Sequence, residues 1–168
     1  PGEPCGSSRD FAVRMSSRDE IRRGERTVDA GAADDARVRF IGEIRTPGPD
    51  RDACPRQGSY EGPECRLVVA PIWRPALEGL EANEKIEVLY WLDRSRRDLV
   101  AQSPGNDGRT VGTFALRSPN RPNPIGTSLV RLVGIEDGVV TVRGLDCVDG
   151  TPLLDIKPHR CPHGGKAG

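Results

Sequence analysis

Apolar residues in this 168-residue chain occur in short runs that proline and glycine interrupt. In Lys85–Leu92 they alternate, and because both faces of the segment are partly apolar, it is predicted to be a central strand. Further strands are predicted over residues 38–46, 67–70, 111–116, 126–135 and 138–146. Helix is scarce, with one short helix predicted at about residues 75–80. The pattern predicts a mainly β fold, a closed β-barrel with a few short helices.

Charge balance excludes a global basic field. Lys and Arg number 25, as do Asp and Glu, so any nucleic-acid contact must come from a local patch. Aromatic residues make up only 4% of the chain, which argues against broad platforms for base stacking.

The composition divides the chain into three parts. Residues 1–36 are rich in Arg, Asp, Gly, Ser and Ala, and are predicted to be a flexible N-terminal arm or tail, or an arm laid on another subunit. Residues 37–158 form the predicted barrel domain, and residues 159–168 a Gly-rich C-terminal tail. Neither a secretory signal nor a membrane-length apolar run is apparent, so a cytoplasmic protein with no membrane contact is expected.

The chain has five cysteines, an odd number, and no two of them form a CxxC motif, which favours reduced thiols. His159, Cys161 and His163 could hold a metal, but the cluster is short and Gly-flanked, and no metal site is predicted. GxSxG, P-loop and Rossmann motifs are absent from the sequence, so the usual nucleotide-binding fold is not supported.

One stretch, Thr113–Ser128, places three prolines, two arginines and two asparagines between apolar runs. Each proline fixes its own φ and biases the preceding residue away from helix, which predicts a stiff, extended loop. The planar cations Arg117 and Arg121 would suit a phosphate, a carboxylate or a base edge. The alternative is a solvated, Pro-rich connector.

A second stretch, residues 146–158, surrounds the turn signal Asp149-Gly150 with three aspartates and Lys157. By itself it could be an ordinary strand–turn–strand segment with solvated acids.

Together, RSPNRPNPIGTS at residues 117–128 and DCVDGTPLLDIKPH at residues 146–159 resemble the TrmO (TsaA-like) family of tRNA methyltransferases. Cys54-Pro55-Arg56-Gln57-Gly58 is similar to the family's PRQ segment, and residues 77–81 leading to 88–92 to its central helix and strand. The resemblance covers residues 37–158. It implies a single-sheet β-barrel and S-adenosylmethionine as methyl donor. The acceptor it implies is N6 of threonylcarbamoyladenosine at tRNA position 37, in the anticodon loop. It also implies a homodimer with the cofactor near the interface.

The resemblance also implies roles for individual residues. The proton of the acceptor nitrogen would pass to Asp149 or Asp155, with Asp146 a third candidate. Arg56, Gln57 and Lys157 would contact substrate, although Lys157 could equally be solvated. The expected cofactor-binding residues are Phe114, Arg117, Ser118, Arg121, Asn123, Ile125, Gly126, Ser128, Thr151 and Leu153. Phe114 could instead be a core residue of a strand.

Two other functions stay open at this point. One is a non-catalytic module that binds S-adenosylmethionine or a nucleotide in a regulatory role. The other is a methyltransferase that acts on a smaller acceptor. In family members of the bacterial enzyme type a further C-terminal domain helps to hold tRNA, whereas the 168-residue sequence extends about ten residues beyond Lys157-Pro158.

Overall fold

The computed structural model describes residues 20–31 and 35–159. Within them lie nine strands and three short 3-10 helices. The strands are β1 Arg26–Thr27, β2 Gly42–Arg45, β3 Glu64–Val69, β4 Lys85–Trp91, β5 Leu99–Gln102, β6 Val111–Gly112, β7 Ile125–Glu136, β8 Val139–Arg143 and β9 Thr151–Pro158. The 3-10 helices are Pro71–Leu77, Leu80–Ala82 and Thr113–Ala115.

Six strands form a closed barrel in the order β2-β3-β8-β7-β4-β9, and every pairing is antiparallel. The hairpin between β7 and β8 turns at Asp137 and Gly138, which both have positive φ, as a tight two-residue turn requires. The predicted mainly β, closed-barrel fold with few short helices is therefore confirmed.

The barrel is filled by alternate residues of its strands. In β3 the inward residues Cys65, Leu67 and Val69 are buried, whereas the residues between them are exposed. Ile86 and Val88 of β4 are fully buried and belong to the same core cluster. Each aliphatic side chain removed from water in this way contributes about 1.5–3 kcal/mol.

Several predicted boundaries differ from the structure. The strand predicted at 38–46 is reduced to β2, and that at 111–116 to the two residues of β6, followed by a 3-10 helix. Residues 94–108, which contain none of the predicted strands, include β5, whose Leu99, Ala101 and Gln102 are buried. Residues 151–158, considered in the sequence only as part of a possible strand–turn–strand segment, form β9, which closes the barrel between β2 and β4.

The N-terminal segment contributes a strand of its own. Arg26–Thr27 pairs with β5 of the same chain, and β6 pairs with the opposite edge of β5, so that β1, β5 and β6 form a second, three-stranded sheet. The prediction of an arm or tail did not include this pairing. Most of the predicted C-terminal tail, with Cys161 and His163, lies outside the described residues. Among those residues, no helix is long and apolar enough to cross a membrane.

Candidate functional site

A cavity of about 1240 Å³ opens beside the barrel. Two of its walls are the long loop between β2 and β3 (residues 46–63) and the Pro-rich loop (residues 116–124). The end of β4, the start of β7 and the segment between β8 and β9 form the rest. The two stretches that carry the family resemblance therefore meet at one place.

The structure brings most of the predicted site residues to this cavity. Those that line it are Arg56, Gln57, Arg117, Ser118, Arg121, Ile125, Gly126, Ser128 and Thr151. Those that lie outside its lining are Phe114, Asn123, Asp149, Leu153, Asp155 and Lys157.

Two apolar members of the second group are placed in opposite environments. Phe114 belongs to the 3-10 helix Thr113–Ala115, and with 82% of its surface exposed it is not a core residue. Leu153 is fully buried inside the barrel, where its backbone pairs with Gly42 of β2. Leu153 therefore stabilises the strand that positions Thr151 at the cavity.

The predicted carboxylates have three different environments. Asp149 accepts hydrogen bonds from the backbone N–H of Thr46 at 3.0 Å and from Arg45 at 3.4 Å, so it ties the β9 turn to the end of β2. Asp155 accepts a hydrogen bond from Lys157 and lies opposite Leu89 in the β4–β9 ladder, on the partly exposed face of β4. Of the three aspartates, Asp146 is the one that lines the cavity.

Asp146 is part of a network of hydroxyl groups. Its Oδ1 accepts hydrogen bonds from the Tyr90 hydroxyl at 2.9 Å and from Ser128 Oγ at 3.3 Å, and the two hydroxyl oxygens lie 2.9 Å apart. Burial, followed by the nearby Asp146 carboxylate, raises the pKa of Tyr90, so its hydroxyl stays protonated and able to donate. The network orients the Asp146 carboxylate at the cavity wall.

Gly126 makes room for the tyrosine of this network. A Cβ added at Gly126 would lie 2.1 Å from Cε2 of Tyr90, so only glycine lets the ring pack across β7. The space beside Gly126 is thus filled by the protein's own aromatic ring.

The long loop is held to the cavity by a similar backbone contact. A Cβ at Gly58 would lie 1.8 Å from the carbonyl oxygen of Gly144, so the loop presses directly on the segment that leads to Asp146. The preceding residues Arg56 and Gln57 are exposed at the cavity wall as a result.

The two arginines of the Pro-rich loop differ in their freedom. Arg121 donates from Nη2 to the carbonyl oxygen of Leu116 at 3.0 Å, and so takes part in holding the loop. Arg117 is exposed, and among the described residues it has no hydrogen-bond or ion-pair partner. Arg117 is therefore available to bind an anionic group in the cavity.

The cavity wall is locally basic. Five arginines line it, against the two aspartates Asp93 and Asp146, although the whole chain is balanced in charge. The thiols of Cys54 and Cys147 also line it, and burial followed by the nearby Asp146 raises the pKa of Cys147. Cys147 is therefore a neutral thiol and a weak nucleophile at physiological pH.

Sequence reasoning missed Tyr90 and Asp93 as cavity residues. Tyr90 was assigned only to a strand face, together with Ile86 and Val88. The available signal was its hydroxyl, since a tyrosine on a buried strand face requires a hydrogen-bond partner.

Comparisons with known proteins agree on one family. The model of the tRNA-methyltransferase O N-terminal domain matches residues 43–162. The "Probable S-adenosyl-L-methionine-binding protein VirR" of Rhizobium radiobacter is 50% identical over 149 residues, covering 89% of this chain and 84% of that protein. The tRNA (adenine(37)-N6)-methyltransferase of Mus musculus is 34% identical over 127 residues, covering 71% of this chain and 30% of that protein.

A solved structure has the same fold. The crystal structure of TrmO from P. aeruginosa superimposes with a TM-score of 0.64 at 33% identity, covering 82% of this chain. This chain spans 62% of the length of that TrmO chain.

Proposed function

Because the chain belongs to the TrmO family, we propose that it transfers a methyl group from S-adenosylmethionine to tRNA, at N6 of the threonylcarbamoyladenosine at position 37. The observation that carries this proposal is the cavity where the Pro-rich loop, the long loop and Asp146 meet. The specificity for adenine 37 is supported by the name of the Mus musculus relative, a tRNA (adenine(37)-N6)-methyltransferase.

The cavity residues fit the chemical groups of S-adenosylmethionine. Arg117 provides an unpaired guanidinium for the methionyl carboxylate, and Asp93 an exposed carboxylate for the ammonium group or the ribose hydroxyls. Leu92, Ile125 and Leu129 provide apolar wall for the adenine. When bound, the cofactor supplies an electrophilic methyl group, so the protein needs only to orient and stabilise the reactants.

Asp146 is the best-placed group to accept the proton of the acceptor nitrogen. Its Oδ1 is occupied by the Tyr90 and Ser128 hydroxyls, whereas Oδ2 makes no hydrogen bond within the described part of the chain. A carboxylate fixed on one oxygen and open on the other can accept a proton from a bound reactant. The bonded geometry of Asp149 and Asp155 favours structural roles for those two residues.

The RNA would approach through the long loop. Arg56 and Gln57 are exposed at the cavity wall, where they can contact the phosphates and the edge of a base displaced from the anticodon loop. Lys157 was expected to share this role, but its ion pair with Asp155 lies outside the cavity lining, so the proposal rests on Arg56 and Gln57.

The proposal includes a homodimer with the cofactor near the interface. Ile125 and Leu129 are exposed apolar residues of β7 that also line the cavity, so a second copy covering them would adjoin the bound cofactor. Size-exclusion chromatography with light scattering measures the assembly state. An enzyme that modifies tRNA would act in the cytoplasm.

The first test is calorimetric titration with S-adenosylmethionine of the wild type, Arg117→Ala and Arg66→Ala. Arg66 is an exposed arginine of β3 outside the cavity and serves as the control. Binding weakened only by Arg117→Ala would support the cofactor site. Mass spectrometry of nucleosides from tRNA incubated with enzyme and cofactor then tests for the methylated base. A folded wild type that binds no cofactor would contradict the proposal.

A second candidate is a protein that binds S-adenosylmethionine without catalysis. It is favoured by the name of the Rhizobium radiobacter relative, an S-adenosyl-L-methionine-binding protein, which states binding and no reaction. Saturable binding together with an absence of methylated product from every tRNA preparation would select this alternative. A methyltransferase for a smaller acceptor would instead give turnover that added salt does not reduce, because it lacks phosphate contacts.

A further inference from the structure

The Pro-rich loop carries four cavity residues, Arg117, Ser118, Pro119 and Arg121, on a backbone with few hydrogen-bond donors. Pro119, Pro122 and Pro124 have no N–H group. A segment of this kind cannot be fixed by a ladder of its own donors. Beyond the bond from Arg121 to Leu116 O within the loop, it is held through its carbonyl oxygens by donors from neighbouring elements.

Apart from the N–H of the adjacent Ile125, which donates to Asn123 O at 2.8 Å, three donors from outside the loop reach its carbonyl oxygens. The backbone N–H of Leu92 donates to Pro124 O at 2.8 Å, and Arg97 Nε donates to Pro122 O at 2.7 Å. Gln102 Nε2 donates to Asn120 O at 2.7 Å.

The bond from Gln102 is the best shielded of those made by side chains. Gln102 is 5% exposed and Asn120 is 7% exposed, whereas Arg97 is an exposed residue. Water competes with the bond of Arg97 but not with that of Gln102, and a buried bond is electrostatically stronger.

The Gln102 amide is itself fixed in orientation. Its Nε2 also donates to Thr113 Oγ1 at 3.0 Å, and Thr113 Oγ1 donates to Leu99 O at 2.7 Å. Leu99 and Gln102 both belong to β5, so the amide is held rigidly to the second sheet. Gln102 does not line the cavity.

We infer that Gln102 is a positioning residue, which holds the Pro-rich loop in the conformation that presents Arg117 and Ser118 to the ligand of the cavity. The inference rests on the proposed function for the identity of that ligand, S-adenosylmethionine. Without the bond, Asn120 O would be left buried and unsatisfied, and the loop would move to reach water. The ligand would then have to order the loop again on binding, which lowers affinity.

The test compares Gln102→Met with Asn83→Leu. Both substitutions replace an amide that donates to a backbone carbonyl by an apolar side chain of similar size. Asn83 donates to Leu80 O at 2.9 Å and lies outside the cavity lining. Calorimetry measures S-adenosylmethionine affinity, thermal unfolding reports folding, and hydrogen exchange with mass spectrometry locates the change.

We expect Gln102→Met to weaken cofactor binding about tenfold, the effect of one lost hydrogen bond. Amide exchange should accelerate in residues 117–123 and stay unchanged in the barrel strands. Asn83→Leu should lower the unfolding temperature without changing affinity. Equal affinities for wild type and a folded Gln102→Met, with unchanged exchange in the loop, would overturn the inference. Failure of the wild type itself to bind would instead overturn the proposed cofactor.

A measurement on the wild type keeps the inference testable if Gln102→Met does not fold. Nuclear magnetic resonance follows solvent exchange of the side-chain amide protons of Gln102 and of the exposed Gln57. Slow solvent exchange of the Gln102 amide protons, with a change in their chemical shifts on adding S-adenosylmethionine, would support the role of the hydrogen bond from Gln102 to Asn120 O. Exchange as fast as that of the Gln57 amide protons would overturn the inference.

Discussion

At the level of single residues, the site depends on which of three neighbouring aspartates reaches the cavity. Asp149 and Asp155 are engaged in holding a turn and an outer ion pair, whereas Asp146 lines the cavity with Oδ2 open. The sequence alone does not distinguish the three carboxylates, whereas their hydrogen-bond partners in the structure do.

This difference predicts the effect of isosteric substitutions. Asp146→Asn removes the proposed proton acceptor, and methyl transfer should fall at least about 100-fold while cofactor affinity changes little. Asp155→Asn, which lies outside the cavity, should retain near wild-type turnover. Single-turnover assays with tRNA and calorimetry measure the two quantities. Equal loss of turnover in both variants would argue against Asp146 as the acceptor.

Gly126 provides a second prediction at this scale. Gly126→Ala places a Cβ against the Tyr90 ring, and overpacking of this kind lowers the free energy of unfolding by about 1–3 kcal/mol. Gly134→Ala is the matched control, because Gly134 lies in the same strand with nothing within 4 Å of an added Cβ. Urea unfolding measures both. The packing argument fails if the two variants are equally stable.

The buried acids Cys147 and Tyr90 predict how stability depends on pH. Their folded pKa values are raised above the ordinary 9.0 and 10.0. The unfolded chain therefore loses these protons first, and the stabilisation, fully present below about pH 9, is lost as pH rises further. Urea unfolding from neutral pH to about pH 10.5 should show the decline. Cys147→Ala should reduce its slope, and an unchanged slope would exclude this thiol as a source.

At the level of elements, the second sheet supports the site from behind. β5 carries Gln102, which bonds the Pro-rich loop, and β1 pairs with the other side of β5. Just before β1, Glu25 accepts hydrogen bonds from the backbone N–H of Ser103 and of Arg22, each at 2.9 Å. The N-terminal segment is thus joined to the element that holds the loop.

Removing the Glu25 side chain tests this connection between the N-terminal segment and β5. Glu25→Ala leaves the N–H of the fully buried Ser103 without its acceptor, and the free energy of unfolding should fall by about 1–3 kcal/mol. Glu81→Ala, at an exposed residue of a 3-10 helix, is the control and should be neutral. Hydrogen exchange should accelerate in β5 of Glu25→Ala alone. Unchanged exchange there would mean that Glu25 does not hold the sheet together.

At the level of the whole molecule, positive and negative charges balance, but the cavity wall carries more arginines than aspartates. A protein of this kind should bind RNA through a few local phosphate contacts, without a long-range basic field. The slope of log affinity against log salt concentration then gives the number of these phosphate contacts.

Arg56→Ala should reduce the slope of log affinity against log salt for tRNA by about 1. Arg66→Ala, an exposed arginine outside the cavity, should leave the slope unchanged. Fluorescence anisotropy with labelled tRNA over a salt series measures both. Identical slopes for the two variants would indicate diffuse binding and would contradict a contact between Arg56 and the RNA.

Much of the barrel could be predicted because alternation with a period of two residues records one buried face. β4 and β7 were predictable in this way. β5 was hidden in a polar context, and β9, with prolines at its second and last positions, has weak alternation. β9 becomes a strand because β2 and β4 both pair with it, and such non-local pairing leaves no local signal.

The sequence by itself determined a mainly β chain, a stiff Pro-rich loop that carries two arginines, and the family to which the motifs belong. These features are local, since proline geometry and side-chain alternation act within a few residues. Only the tertiary structure decided that Asp146 is the carboxylate at the cavity, because its partners Tyr90 and Ser128 are 56 and 18 residues away. The same holds for Gln102, whose amide meets Asn120 across 18 residues of chain once the second sheet has formed.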